Sequence, residues 1–161
     1  MLGSDVRDPD HGESEHVHAR GLQLLPIETE LSGPKRLARV GGRGHPALNG
    51  FWSAVSRAHV DGYAIHVGRT RSCSARVTPL FDLDTGHDGN VSDDGLVAGT
   101  YLHGILEQSD FRCAVLRALA RRRGFAWTAT PQPAVDPYDQ LASMLADSVR
   151  FDGLNCRALL N

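Results

Sequence analysis

The 161-residue sequence lacks the features that mark several common classes of protein. Its three cysteines, Cys73, Cys113 and Cys156, are far apart and form no Cys-x-x-Cys pair, which argues against a disulfide framework or a thiolate zinc site. No apolar run approaches the ~20 residues that span a bilayer, and no signal-peptide pattern follows Met1. A formal charge of −2 provides no basic excess for nucleic acid or an anionic membrane. We therefore expect a cytoplasmic protein with no nucleic-acid or membrane partner.

Common catalytic and phosphate-binding motifs are also missing. The chain has no Gly-x-Ser-x-Gly, the turn that presents the nucleophile of many serine hydrolases, and no cysteine flanked by glycines on a comparable turn. The segment GGRGH, residues 41–45, lacks the Gly-x-x-x-x-Gly-Lys-Ser/Thr pattern whose amides and lysine hold phosphates. We therefore interpret the cysteines as structural and expect no nucleotide site.

The hydrophobic pattern indicates strands first and helices last, which is typical of α/β or α+β proteins. Alternation of apolar and polar residues predicts strands in KRLARVGG, HVDGYAIHVG, ARVTPLF and LVAGTYL. The segment GLQLLPIET is predicted to be short, extended and buried. Residues 4–20 and the Asp- and Gly-rich residues 82–95 are predicted to be irregular, and a helical turn is expected at 51–55.

Two helices are predicted in the last third of the chain. The first begins with Ser109 as its cap, carries an apolar face and ends at Gly124 after three arginines. The apolar face consists of Phe111, Val115 and Leu119. The second opens at Asp136-Pro137. Its predicted apolar residues are Leu141, Met144, Leu145 and Val149, and Leu154, Leu159 and Leu160 are expected to dock on the core.

His103, in the stretch GTYLHGILE, is the candidate catalytic residue. The predicted strand LVAGTYL places it at the strand's carboxyl end, where ligands and catalytic groups collect in α/β sheets. A histidine with a pKa near neutrality is suited to general-base work but needs a partner group.

Three segments, GLQLLPIET, GYAIHVGRT and GTYLHGILEQSDFR, resemble in that order the glutamine amidotransferase domain of cobyric acid synthases. The closing DQLASMLADSVRFDGL continues the resemblance over nearly the whole chain. It implies one domain, residues 1–161, with a partial class I amidotransferase (flavodoxin-like) α/β fold, a mixed central sheet and C-terminal helices. In that family a Cys-Gly-Gly-aromatic-Gln-Met-Leu-Gly elbow carries the nucleophile. Met1-Leu2-Gly3 is similar to its tail, so we expect a domain truncated just after the elbow.

The resemblance also implies a chemistry. A thiolate attacks the glutamine side-chain amide, and His103 transfers the proton that this reaction requires. The released ammonia then amidates corrinoid carboxylates in an ATP-dependent step of cobalamin biosynthesis. Tyr63, His66 and Tyr101 are the implied substrate-binding residues. Many amidotransferases orient the histidine with a glutamate two residues on, a position held here by Ile105. ATP and magnesium would belong to a synthetase domain upstream, so no cofactor or metal is expected in this chain, and activity alone is not expected.

Other interpretations remain open. Ala64 stands where the family usually has glutamate, and this departure fits a noncatalytic remnant or partner-binding module. Cobyrinic acid a,c-diamide synthases share the Tyr-Leu-His motif. A third interpretation is a metal hydrolase that uses the histidines of HGESEHVH, His11, His16 and His18. A sheet lacking its first strands would expose apolar surface, so self-association is expected.

Overall fold

The computed structural model describes residues 1–74, 77–128 and 136–148, in two compact units, Met1–Pro131 and Gln132–Asn161. The first unit holds three sheets, a 3-10 helix at Gly50–Val55 and helix α1, Ser109–Arg122. Its strands are β1 Asp5–Arg7, β2 His18–Arg20, β3 Ile27–Glu30, β4 Arg36–Gly44, β5 His59–His66, β6 Arg69–Ser72, β7 Phe81–Leu83, β8 Gly86–Asp88, β9 Asn90–Val91, β10 Ala98–Gly99 and β11 Leu102–His103. The second unit contains α2, Pro137–Ser148.

The strands form an antiparallel five-stranded sheet, a mixed four-stranded sheet and a two-stranded sheet. The five-stranded sheet has the order β11-β5-β4-β7-β8, and the four-stranded sheet has the order β2-β1-β3-β6 with β1 and β3 parallel. The β9–β10 pair stands beside them. Both helices follow the last strand, so the predicted α/β class with C-terminal helices is confirmed.

The main core lies between the five-stranded sheet, the 3-10 helix and α1. Its buried members are Val40, Leu48, Val55, Val60, Leu80, Phe81, Val91, Leu102 and Phe111. The rings of Phe81 and Phe111 lie 5.7 Å apart, which joins α1 to the sheet. Burial of these apolar side chains is the main force that holds α1 in place.

The first helix was predicted well, apart from its cap and the end of its face. Gly124 has φ +74°, its N–H donates to Arg121 O at 3.1 Å, and Phe125 N–H donates to Ala120 O at 2.8 Å. This is a Schellman ending, which needs a residue that tolerates left-handed backbone. Ser109 as the cap was wrong, because it is already helical and Gln108 precedes the helix without a side-chain cap bond. Leu119 is exposed, because only the first half of the face meets the core.

The strands in KRLARVGG and HVDGYAIHVG, the helical turn at 51–55 and the helix at Pro137 are confirmed. Two predicted irregular regions were wrong. Residues 4–20 contain the β1–β2 hairpin, and residues 82–95 contain most of the β7–β8 hairpin together with β9. The hairpins were missed because strands of three residues are too short to show a hydrophobic alternation.

The strand predicted at LVAGTYL is broken in two. The Thr100 hydroxyl, between the two pieces, accepts the Leu102 N–H at 2.9 Å and donates to the Asp88 carboxylate. β10 pairs with β9 whereas β11 pairs with β5, so the two pieces belong to different sheets. His103 is consequently the last residue of β11.

The remaining strand predictions differ in detail. Residues 75 and 76 of ARVTPLF lie outside the described residues, Thr78 forms an isolated bridge to Val91, and the regular strand β7 starts at Phe81. Strand β6 was missed, and Leu22 and Leu24 beside β3 are exposed whereas Leu25 and Ile27 are buried. The predictions for Val149, Leu154, Cys156, Leu159 and Leu160 lie outside the described residues. No described helix is both long and apolar enough to cross a membrane.

Candidate active site

The two histidine motifs, distant in sequence, lie on neighbouring strands. β11 pairs with β5 in an antiparallel register that sets Leu102 opposite Ala64 and His103 opposite Tyr63. Gly62 permits this approach, because a Cβ at that position would lie 2.2 Å from the His103 carbonyl oxygen. A glycine in GYAIH is therefore needed for β11 to pair at this point.

His103 is exposed and is followed by a tight turn. The Glu107 N–H donates to the Gly104 carbonyl oxygen at 2.9 Å, and Arg112 donates to the Glu107 carbonyl oxygen at 3.0 Å, which ties the turn to α1. Ile105 packs against the core, and Glu107 is exposed. The backbone around His103 is thus fixed by local hydrogen bonds while its imidazole faces solvent.

Tyr63 shares a face of the sheet with His103, because directly paired residues of antiparallel strands point to the same side. His66, three residues after Tyr63, points to the opposite side by strand alternation. The predicted site residues therefore fall into two pairs, Tyr63 with His103 and His66 with Tyr101.

His66 and Tyr101 line the same cavity, of about 490 Å³. Their rings lie 4.9 Å apart at an angle of 32°. The Tyr101 hydroxyl is 2.9 Å from Thr70 Oγ1 and 3.3 Å from Thr29 Oγ1, and the two threonine oxygens are 2.8 Å apart. These three hydroxyls form a connected network that orients the tyrosine ring, and we call them the hydroxyl triad.

The cavity rim is charged, and one wall comes from the start of the chain. Arg36, Arg69 and Arg71 are exposed at the rim, and Asp88 lines the same cavity. Residues 1–3 also line it. Guanidinium groups at the rim suit a carboxylate-bearing ligand, because they offer bidentate hydrogen bonds to it.

Neither described cysteine has the environment of a nucleophile. Cys113 is buried in α1. Cys73 is exposed, and desolvation followed by the nearby Glu28 carboxylate raises the pKa of its thiol. Since the thiolate is the reactive form, a raised pKa disfavours reactivity at neutral pH.

The histidines of HGESEHVH do not converge on a metal site. His18 Nε2 lies 2.7 Å from Asp5 Oδ1, and His11 Nδ1 lies 3.3 Å from the Ser14 carbonyl oxygen. Within residues 1–74, 77–128 and 136–148, the group that brings three ligand atoms together is elsewhere, at His45, Asp82 and His87. Sequence reasoning missed it because His87 falls in a region predicted to be irregular and His45 follows a glycine-rich segment.

Residues 1–111, which include β1 to β11, match the family described as the CobB/CobQ-like glutamine amidotransferase domain. The chain belongs to this family. The cobyric acid synthase of Jannaschia sp. (strain CCS1) is 34% identical over 154 residues, covering 96% of this chain and 29% of that protein. The Rhodobacter capsulatus cobyric acid synthase is 38% identical over 137 residues, covering 84% of this chain and 27% of that protein.

A probable cobyric acid synthase of Methanocella arvoryzae is 33% identical over 156 residues, covering 96% of this chain and 30% of that protein. The chain therefore spans less than a third of the length of these relatives. The resemblance to the amidotransferase domain of cobyric acid synthases is confirmed by these matches.

Proposed function

We propose that this chain is the histidine-bearing part of a glutamine amidotransferase that supplies ammonia for ATP-dependent amidation of corrinoid carboxylates. The observation that supports this most is the pairing of β11 with β5, which joins the two histidine motifs in one sheet of a chain that matches an amidotransferase family. ATP and magnesium would act in a synthetase part outside this chain. The names of the relatives, which are cobyric acid synthases, favour cobyric acid synthesis over a,c-diamide synthesis as the setting.

In this proposal His103 is the general base and acid of glutamine hydrolysis. A cysteine thiolate attacks the side-chain amide carbon, His103 delivers a proton to the departing ammonia, and water then releases glutamate from the thioester. The exposed ring at the end of β11 is accessible to a thiol from another segment.

We propose that the nucleophile is neither of the described cysteines but the cysteine of the elbow that the resemblance implies. Cys113 is buried, and the pKa of the Cys73 thiol is raised. The elbow implied by the resemblance ends at Met1-Leu2-Gly3, which lines the cavity beside His66 and Tyr101. A cysteine in an elbow of that kind would therefore join the chain on the cavity side.

The two pairs of residues receive different roles. Tyr63, opposite His103, is proposed to contact the group on which His103 acts. His66 and Tyr101 are proposed to hold substrate from the cavity, with the rim arginines attracting its carboxylate.

A chimera tests the catalytic role. The aligned 137-residue segment of the Rhodobacter capsulatus relative is replaced by this chain's matching segment, and corrinoid amidation is measured with glutamine or with ammonia as nitrogen donor. His103→Asn should lower the glutamine-dependent rate by about 10²-fold or more and leave the ammonia-dependent rate unchanged. The ammonia-dependent rate also reports that the chimera is folded.

His59→Asn is the matched control, because His59 is an exposed histidine at the other end of β5. It should leave both rates unchanged. His66→Asn and Tyr101→Phe should raise the KM for glutamine without altering the ammonia-dependent rate. Equal glutamine-dependent rates for the parent chimera and its His103→Asn variant would reject His103 as the base.

The chain alone should release no glutamate from glutamine. Release that survives replacement of all three cysteines would contradict this account of the site.

Calorimetry with glutamine tests the noncatalytic alternative, since saturable binding without turnover by the chimera would favour a binding module. We also expect self-association of the isolated chain, measured by light scattering, because Leu22, Leu24 and Leu37 are exposed.

A further inference from the structure

Two imidazoles and a carboxylate converge at one edge of the five-stranded sheet, away from His103. His45, Asp82 and His87 each offer one ligand atom, and these atoms all lie within 4.8 Å of one another. Asp82 Oδ1 lies 2.7 Å from His87 Nδ1 and 3.7 Å from His45 Nε2. The two imidazole rings are 5.5 Å apart and steeply inclined at 72°.

Two of the three residues lie on paired strands, and a backbone hydrogen bond to the residue before β7 holds the third. Asp82 and His87 are direct partners across the β7–β8 hairpin, so their side chains share one face. His45 follows β4, and its N–H donates to the Leu80 carbonyl oxygen at 3.0 Å. Leu80 and Phe81 are buried, which anchors this part of the sheet. The ligands therefore stand on rigid elements, as a preorganised site requires.

Among the described residues, no guanidinium forms an ion pair with the Asp82 carboxylate. Arg43 is the direct partner of Asp82 across β4 and β7, yet in the described part of the chain both ion pairs of Asp82 are with the two histidines. The side chains of Asp82 and His87 are 40% and 68% exposed, so an ion and water can reach them.

We propose that His45, Asp82 and His87 bind a divalent transition-metal ion such as zinc. Bonds of about 2.0–2.2 Å in tetrahedral geometry separate neighbouring ligand atoms by about 3.3–3.6 Å. The distances of 2.7 Å and 3.7 Å from the Asp82 oxygen bracket that range, and the two histidine ligand atoms lie within 4.8 Å of each other, so side-chain adjustments can bring all three onto one ion. Three protein ligands leave the fourth position to water. This proposal does not depend on the role of His103.

Metal binding has a specific consequence at His45. The Ala47 N–H donates to His45 Nδ1 at 3.2 Å, so in the neutral ring the proton is on Nε2. A metal at Nε2 requires that proton to move to Nδ1, which removes the acceptor of the Ala47 N–H. Zinc should therefore shift the backbone amide resonance of Ala47.

The test uses the untagged 161-residue chain, stripped with a chelator and titrated with zinc chloride by calorimetry. We expect one zinc ion per chain. Each ligand is removed in turn by the variants His45→Gln, Asp82→Asn and His87→Gln. Each variant should bind zinc at least about tenfold more weakly, because changing a residue that only supports a metal ligand already costs about tenfold in affinity. Cobalt(II) should show visible absorption bands of a site with nitrogen and oxygen ligands.

His18→Gln is the matched control. His18 and Asp5 form an exposed pair at the same 2.7 Å distance without belonging to the three-ligand group, so this variant should bind zinc as the parent does. Circular dichroism in the presence of chelator checks that each variant folds. If one variant does not fold, the zinc affinities of the other two variants test the proposal. Absence of saturable zinc binding by the folded parent, unchanged affinity in the folded cluster variants, or equal loss in His18→Gln would overturn the proposal.

Discussion

The five-stranded and four-stranded sheets of the first unit are stabilised in different ways. The five-stranded sheet has long central strands, β4 and β5, and most of the buried apolar side chains pack on or beside it. The four-stranded sheet is made of strands of three or four residues, and β2 is exposed along its length. The same chain thus contains a sheet held mainly by apolar packing and a sheet that has little of it.

Polar contacts supply much of what the four-stranded sheet lacks in apolar packing. Asp8, only 2% exposed, accepts hydrogen bonds from the N–H groups of Gly12, Glu13 and Ser14 at 2.8–2.9 Å and closes the β1–β2 connection. Thr29, 4% exposed, joins β3 to β6 through the hydroxyl triad. Buried polar groups are stabilising only when their partners are present, so this sheet depends on a few specific atoms.

The largest loss of stability is expected when a substitution creates a cavity in the core beside the five-stranded sheet. Phe81→Ala removes a fully buried ring that contacts Phe111 and should lower the free energy of unfolding by about 3–5 kcal/mol. Urea denaturation measures the change. Leu119→Ala is the control, because Leu119 is 45% exposed and its loss should stay within about 0.5 kcal/mol. Similar losses in both variants would contradict the placement of the core.

A smaller effect is expected at Asp8, and it should depend on pH. The Glu13 backbone N–H is the largest cause that lowers the pKa of Asp8 below its usual 3.8. A carboxylate with a lowered pKa contributes stability above the unfolded-state pKa and loses it as the pH falls through the folded-state pKa. Asp8→Asn should therefore destabilise the chain at pH 7.

The difference between parent and Asp8→Asn should stay constant down to about pH 5 and shrink below 3.8, as measured by urea midpoints across pH. Asp10→Asn is the control, since Asp10 is exposed in the same loop. A difference that grows on acidification would show that the charge of Asp8 is not what closes the loop.

The smallest effect is expected from the hydroxyl triad. Thr70→Val keeps the side-chain shape but removes the bonds to Thr29 and Tyr101, and should cost about 1 kcal/mol. Thr85→Val, at an exposed position of the β7–β8 turn, should cost close to nothing. Tyr101→Phe combined with Thr70→Val should cost less than the sum of the single changes, because both remove the same bond. Strict additivity would mean that the triad is not a connected network.

Sequence periodicity predicted the longest elements of the first unit. β4, β5 and α1 were found because their side chains repeat with the period of a strand or a helix, and Gly124 marked the end of α1. The β1–β2 and β7–β8 hairpins escaped because their strands are short and carry few apolar residues. Their order comes from side chains such as Asp8, whose partners lie several residues away.

The candidate site divides in the same way. The motif containing His103 pointed to an amidotransferase family, and the family match agrees with it. The motif did not reveal that Tyr63 faces the same side as His103 while His66 joins Tyr101 in the cavity. That division depends on strand register, because a shift by one residue moves every side chain to the other face.

By itself, the sequence determined the family, the α/β class and the elements with strong periodicity, because local propensity and motif residues are properties of short segments. Only the tertiary structure decided which motif residues meet. The tertiary structure set His103 opposite Tyr63 and brought His45 to the β7–β8 hairpin, because these contacts depend on the pairing of strands far apart in the chain.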